Sequence, residues 1–194
     1  MQSLSKRIQE LERLLVSGTQ LGISHDRPAA VFVYDPDDEL EFRYEVGLFR
    51  RRLETQGLTI ELISLGELMW KCIEEHPQGP EGLFESEKLA INQTELLNEA
   101  HTLLAGQKHN EPGPLEIKVL ERIAHLPEEG SVALLVRAGD LFPIYRTSML
   151  LEHLMQCVKT PVVLFYPGVV AGTSELSFMG ICSPSPNYRA RILH

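Results

Sequence analysis

The sequence predicts a compact, three-layer α/β protein that is Rossmann-like in arrangement. A mainly parallel sheet carries helices on both faces and has an antiparallel edge near the C-terminus. Short apolar runs at 29–34, 58–64, 132–136 and 161–166 have the length and β-branched or aromatic character of strands. Longer stretches between them repeat their apolar residues at helical spacing. Each interval is long enough for a crossover, so strands joined in this way are expected to be parallel and right-handed.

The elements follow in order. Leu4, Ile8, Leu11 and Leu15 alternate at spacings of four and three with Lys6, Arg7, Glu10, Glu12 and Arg13 between them, which predicts an amphipathic helix ending near Gly18. Docking on its own domain is the expected fate of that stripe. The polar stretch 17–28 is a short linker to the first strand, 29–34. Asp35-Pro36-Asp37-Asp38-Glu39 then opens a helix over about 38–56, with Leu40, Tyr44, Leu48 and Phe49 on one stripe. Residues 58–64 alternate as a second strand. Three helical segments are expected at 67–75, 81–105 and 114–125, broken by Gly79-Pro80 and by Glu111-Pro112-Gly113-Pro114. After strand 132–136, a crossover helix starts at Phe142-Pro143, with Pro in its first turn, and carries Leu151, Leu154, Met155 and Val158. Strand 161–166 ends at the turn Tyr166-Pro167-Gly168. The last two strands, 176–181 and 188–193, read as an antiparallel hairpin on the sheet edge.

At 194 residues the chain suits a single domain, with a core over 29–193 and the helix of residues 1–17 ahead of it. A domain of about 150 residues already buries roughly 70% of its unfolded surface, enough for a substantial core. Twenty-seven acidic residues against 18 basic ones give a formal charge of −9, which opposes strong direct binding to nucleic acid or to an anionic membrane. Cys72, Cys157 and Cys182 are odd in number and far apart, as expected in a reducing cytoplasm. No apolar run approaches the ~18 residues needed to span a bilayer, and the N-terminus lacks a signal-peptide layout. A soluble, unprocessed, cytoplasmic protein is expected.

The chemistry-bearing constellations are sparser. Asp35, Asp37 and Asp38 cluster at a strand end, where an α/β sheet places ligands. Asp-x-Asp after an apolar strand is also how magnesium-dependent phosphatases of the haloacid-dehalogenase type present nucleophile and acid, although no downstream acidic pair follows. The alternative is an Asp-rich helix cap after an Asp-Pro turn. Walker A and dinucleotide glycine patterns are missing, so no cofactor is expected. The turn Gly139-Asp140-Leu141-Phe142-Pro143 lies between strand and helix, where anions bind, and Arg146 is expected one turn into that helix. Arg146 either faces a ligand or forms a structural fork with carbonyls or with Asp140. Tyr166, Pro167 and Gly168 should stand beside the same cleft as Phe142, Pro143 and Arg146, making these six a candidate partner- or anion-binding surface.

Other groups point to no reaction. His25, His76, His101, His109, His125, His153 and His194 show no metal-ligand spacing, and no Gly-x-Ser-x-Gly elbow occurs, so neither a metal site nor catalytic residues are assigned. Arg50-Arg51-Arg52 reads as a solvated helix face or a dock for an acidic partner. Arg189 and Arg191 are the remaining cations a nucleic-acid adaptor would use, but without interleaved aromatics.

The order and spacing of several residues carry a resemblance. Gly139, Leu141-Phe142-Pro143, Arg146 and Leu150-Leu151 come first. Pro161 then leads to Leu164-Phe165-Tyr166-Pro167-Gly168, followed by Leu176, Phe178 and Tyr188-Arg189. Together they resemble the C-terminal half of the BrxB family, small proteins of the BREX (bacteriophage exclusion) systems. The similarity is weaker over 31–40, and 66–126 adds only length and helical character. It implies an accessory role in phage defence beside a methyltransferase, an ATPase and the phosphatase-fold protein PglZ, and no established reaction. The expected function is therefore a non-catalytic BREX component acting through protein contacts, with PglZ as partner and other BREX components as further candidates. A divergent nucleotide- or phosphate-processing enzyme built on Asp35, Asp37 and Arg146 is the other reading.

Overall fold

Strand β1 (Ala29–Tyr34) is buried along its whole length, as a run of Ala, Val, Phe and Tyr must be at the centre of a sheet covered on both sides. The computed structural model describes residues 3–17, 29–89, 92–106, 111–172, 175–184 and 190–194, the side chains of residues 86 and 89 excepted. Successive β1 side chains point to opposite faces and divide between two cores. Ala29, Val31 and Val33 meet Leu68, Leu104, Leu115, Val119, Leu150 and Leu154 on one face. Ala30, Phe32 and Tyr34 meet Ile8, Leu11, Phe42, Phe49 and Leu53 on the other. That division is the expected three-layer α/β architecture.

The sheet has six strands in the order β2 (Thr59–Ser64), β3 (Ser131–Val136), β4 (Val162–Ala171), β1 and β6 (Arg191–Leu193), with β5 (Glu175–Phe178) paired to β4. β1–β4, β1–β6, β2–β3 and β3–β4 are parallel, whereas β4–β5 is antiparallel. β3 and β4 are thus the parallel neighbours expected of the C-terminal crossover unit.

Helix α1 (Leu4–Val16) buries Leu4, Ile8, Leu11 and Leu15. Glu12 fastens it to α2 (Glu39–Thr55), accepting from Arg52 Nε at 2.6 Å and from Gln56 Nε2 at 2.8 Å. Arg7 donates to the carbonyl of Val33, and its guanidinium lies 4.8 Å from the centre of the Phe32 ring. α2 itself turns a different face inward from the one its first apolar stripe suggested. Phe42, Val46, Phe49 and Leu53 are buried, while Leu40 and Tyr44 are 81% and 68% exposed. The stacking of Phe42 on Tyr34 at 4.1 Å, with Phe165 5.0 Å away, decides the rotation: two aromatic rings outweigh the shorter Leu40/Tyr44/Leu48 row.

Four further expectations are corrected. The segment 81–105 is two helices, α4 (Gly79–Leu89) and α5 (Gln93–Ala105), because Asn92 caps the second by accepting from the Glu95 amide at 3.1 Å. The crossover helix, α7 (Thr147–Cys157), starts after Arg146 and not at Phe142-Pro143, whose peptide is cis. Instead a 3-10 turn, Ala138–Leu141, is followed by a loop that sends Tyr145 into the core. Tyr166-Pro167-Gly168 does not end a strand, since β4 runs on to Ala171. Pro167 is tolerated because β1, its partner there, ends opposite it at Tyr34, so little ladder is lost by the missing N–H. Finally, β6 lies parallel to β1 and is no hairpin partner of β5. The antiparallel pair is β4–β5, and Tyr188 and Arg189 fall outside the described residues. α3 (Leu65–Glu75) and α6 (Pro114–Ala124) complete the layer that covers the Val31 face. Among the described residues no helix is long and apolar enough to cross a membrane.

Candidate functional site

The segment leaving β3 builds the site. Arg137 takes the left-handed conformation (φ 61), which costs a non-glycine residue about 1–2 kcal/mol and swings the chain off the strand axis. Its guanidinium pairs with Asp140 at 2.6 Å. Asp140 is also pressed by α3, for a Cβ added to Gly66 would stand 2.1 Å from its Oδ2. The turn therefore sits rigidly at the C-terminal edge of the parallel strands, where α/β sheets place ligands. Asp140, engaged with Arg137, is not the partner of Arg146.

Beyond the turn lies a pocket of about 460 Å³. Phe142, Pro143, Arg146 and Tyr166 all line it, together with Tyr145, Leu176 and Phe178 and, on the far side, Cys182 and Ser183. Phe142 is 46% exposed and stacks on Phe178 at 4.8 Å, and Tyr166 meets Phe178 edge-on at 5.5 Å. Pro167 and Gly168 stand behind this wall. A Cβ on Gly168 would lie 2.3 Å from the Ser177 carbonyl oxygen, so only glycine lets β4 and β5 approach so closely. Arg146 is exposed, and among the described residues its side chain makes no hydrogen bond or ion pair.

A second pocket of about 280 Å³ lies across the Phe142–Phe178 wall. Its charges are already matched. Arg43 Nε lies 2.7 Å from Glu39 Oε1, and Tyr34 donates to Glu39 Oε2 at 2.5 Å. Burial, and then Glu39, push the Tyr34 phenol far above its ordinary pKa. Asp35, Asp37 and Asp38 line neither pocket. Asp35 Oδ1 accepts from the Asp37 amide at 3.0 Å and caps the 3-10 turn Pro36–Asp38. The structure thus gathers the aromatic candidates and Arg146 at one pocket and leaves the aspartates outside it. No group of three or more His, Cys, Asp and Glu that could hold a metal occurs among the described residues.

Sequence reasoning missed the support behind the pocket. Glu116, 1% exposed, accepts from the Tyr145 hydroxyl and, through Oε2 at 2.7 Å, from the Gly113 amide. His153 Nδ1 stands 2.7 Å from Glu116 Oε1 but off the line of a hydrogen bond. Burial, then Glu116, hold the Tyr145 phenol protonated far above its usual range. The Tyr145 ring lies 5.9 Å from that of His101, whose Nδ1 is 2.9 Å from the Ile144 carbonyl oxygen. Gly113-Pro114-x-Glu116 marks a helix start, yet nothing in that spacing signals that the carboxylate is buried. Arg7, placed between the apolar residues of the first helix, was missed in the same way. Burial lowers its pKa against the opposing pull of Asp38.

One further property distinguishes this face. Val169 and Ile181 are 50% and 81% exposed, Phe142 and Met179 line the smaller pocket, and Val169 Cγ2 lies 3.4 Å from the position of a Cβ on Gly180. Phe142 reaches the β4–β5 rim by stacking on Phe178, and the other three lie on β4 or just after β5.

Residues 61–193 match the family described as "BREX protein BrxB". A BREX protein BrxB of Bacillus cereus (strain H3081.97) is 24% identical over 195 residues, covering 98% of this chain and 97% of that protein. No solved structure gives a significant match. The family match takes in β3, the Phe142–Arg146 loop, α7 and the β4–β5 rim, and with it the chain belongs to the BrxB family of the BREX defence systems.

Proposed function

We propose that this BREX component acts in the cytoplasm as one domain, without catalysis of its own, and that it works by docking PglZ on the β4–β5 rim. The observation that carries this reading is the set of exposed large apolar residues Phe142, Val169, Met179 and Ile181, of which Phe142 lines the larger pocket and the other three lie on β4 or just after β5. Soluble monomers seldom leave a large apolar patch open unless something covers it. A net charge of −9 disfavours DNA as the occupant. Co-expression with PglZ followed by size exclusion tests the reading. The wild-type chain should co-elute with PglZ, and Ile181→Glu should not, while keeping its unfolding midpoint. Failure of the wild-type chain to co-elute contradicts the partner. Co-elution of Ile181→Glu as complete as wild type contradicts the surface.

A further inference from the structure

We infer that the pocket beside Arg146 receives the C-terminal residue of a partner protein chain, a free carboxylate carried next to a large apolar side chain. The inference deepens the docking reading above and rests on it.

The charge pattern comes first. Among the described residues lining the pocket, Arg146 is the only charged one, and it is exposed without an acid among the described residues. Five other arginines in this acidic chain are held by acids, Arg43 by Glu39, Arg50 by Glu54, Arg52 by Glu12, Arg122 by Glu61 and Arg137 by Asp140, whereas Arg13 and Arg51, also without an ion pair among the described residues, line neither of the two pockets. An uncommitted guanidinium at an otherwise uncharged cavity presents a planar fork of donors, which matches a carboxylate through two parallel hydrogen bonds. One cation in a chain of charge −9 balances a monoanion and leaves a phosphate dianion undercompensated. Ser148 and Ser183 add hydroxyl donors to the same lining.

The remaining walls choose the neighbour of that carboxylate. Phe142, Phe178 and Tyr166 offer ring faces and edges, and Leu176 an aliphatic surface, to an aromatic or branched side chain. At about 460 Å³ the cavity has the size of a single small-ligand site and not of a groove for an extended peptide. In a C-terminal residue the carboxylate and the side chain leave one Cα, so both fit one such cavity, with the rest of the partner continuing out over the Val169–Ile181 rim. An internal Asp or Glu would need chain to pass on both sides.

The test uses the full-length protein and a hexapeptide ending in Phe, prepared as free acid and as C-terminal amide, with N-acetylphenylalanine as competitor. Calorimetric titration should give at least tenfold tighter binding of the acid. Arg146→Gln should reduce the acid to the level of the amide, and Ser183→Trp, which fills the cavity from its exposed side, should abolish both. Equal binding of acid and amide, no binding at all, or an Arg146→Gln variant that still discriminates would overturn the inference. If N-acetylphenylalanine binds as tightly as the peptide, the natural ligand is a free apolar acid and the chain-terminus assignment fails. PglZ co-elution separates the two readings. Co-elution with wild type but no acid preference removes this inference alone, whereas acid preference without co-elution removes PglZ docking alone.

Discussion

Replacing Glu116 by Ala should be the most damaging single change near the site, although Glu116 lines neither of the two pockets there. The substitution strips the acceptor from the Tyr145 hydroxyl and from the Gly113 amide, both buried behind the cavity. Leaving a buried donor unsatisfied costs about 1–3 kcal/mol per group, and the losses overlap because both bonds share one side chain. A total of about 3 kcal/mol follows, equivalent to a fall in Tm of about 6–12 °C for a protein of this size. Tyr145→Phe removes one of the two bonds while filling the same space, so it should cost roughly half as much. Urea unfolding followed by tryptophan fluorescence measures both, since Trp70 on α3 belongs to the same layer. An Ala variant within about 0.5 kcal/mol of wild type would refute the reasoning, because surface changes fall in that range. So would a Tyr145→Phe variant less stable than Glu116→Ala.

Three other perturbations should read out separate parts of the fold. Removing residues 1–17 exposes the seat of Leu4, Ile8, Leu11 and Leu15, each worth about 1.5–3 kcal/mol when buried, so the midpoint should drop sharply; an unchanged midpoint would show that α1 docks elsewhere. Gly168→Ala should destabilise by about 1–3 kcal/mol through its clash with Ser177, whereas Gly47→Ala, at an open helix position, should stabilise by up to about 1 kcal/mol, and denaturant midpoints that reverse this order would contradict the contacts assigned to each. Burial pushes the Cys72 thiol from its ordinary 9.0 up to about 11, so the stability it contributes is complete below pH 9 and is lost as pH rises toward 11. Cys72→Ala should flatten that part of the stability–pH curve, and an equally steep fall in the variant would count against the buried thiol.

What could be read beforehand follows from which forces leave a pattern. Strands buried on both faces must be continuously apolar, so 29–34 and 132–136 declared themselves. The pocket candidates also converged, because a turn leaving one parallel strand has to lie near the end of its neighbour. Phase and pairing were less visible. α2 contains two apolar rows, and only the aromatic contact of Phe42 with Tyr34 chooses between them. Pro143 suits a helix start and a loop equally, and Tyr145 settles the matter by turning inward to Glu116. β6 could have paired with β5 or β1, since three residues carry too little pattern to specify a partner. A buried carboxylate such as Glu116 leaves no trace in spacing at all.

Phage plating on cells carrying the complete system with Arg146→Ala, paired with the unfolding midpoint of the same purified variant, tests the account most directly. Arg146 is exposed and without a partner among the described residues, so its loss should leave the midpoint within about 0.5 kcal/mol of wild type. The account predicts that protection nevertheless disappears. A folded Arg146→Ala protein that protects as well as wild type would contradict it.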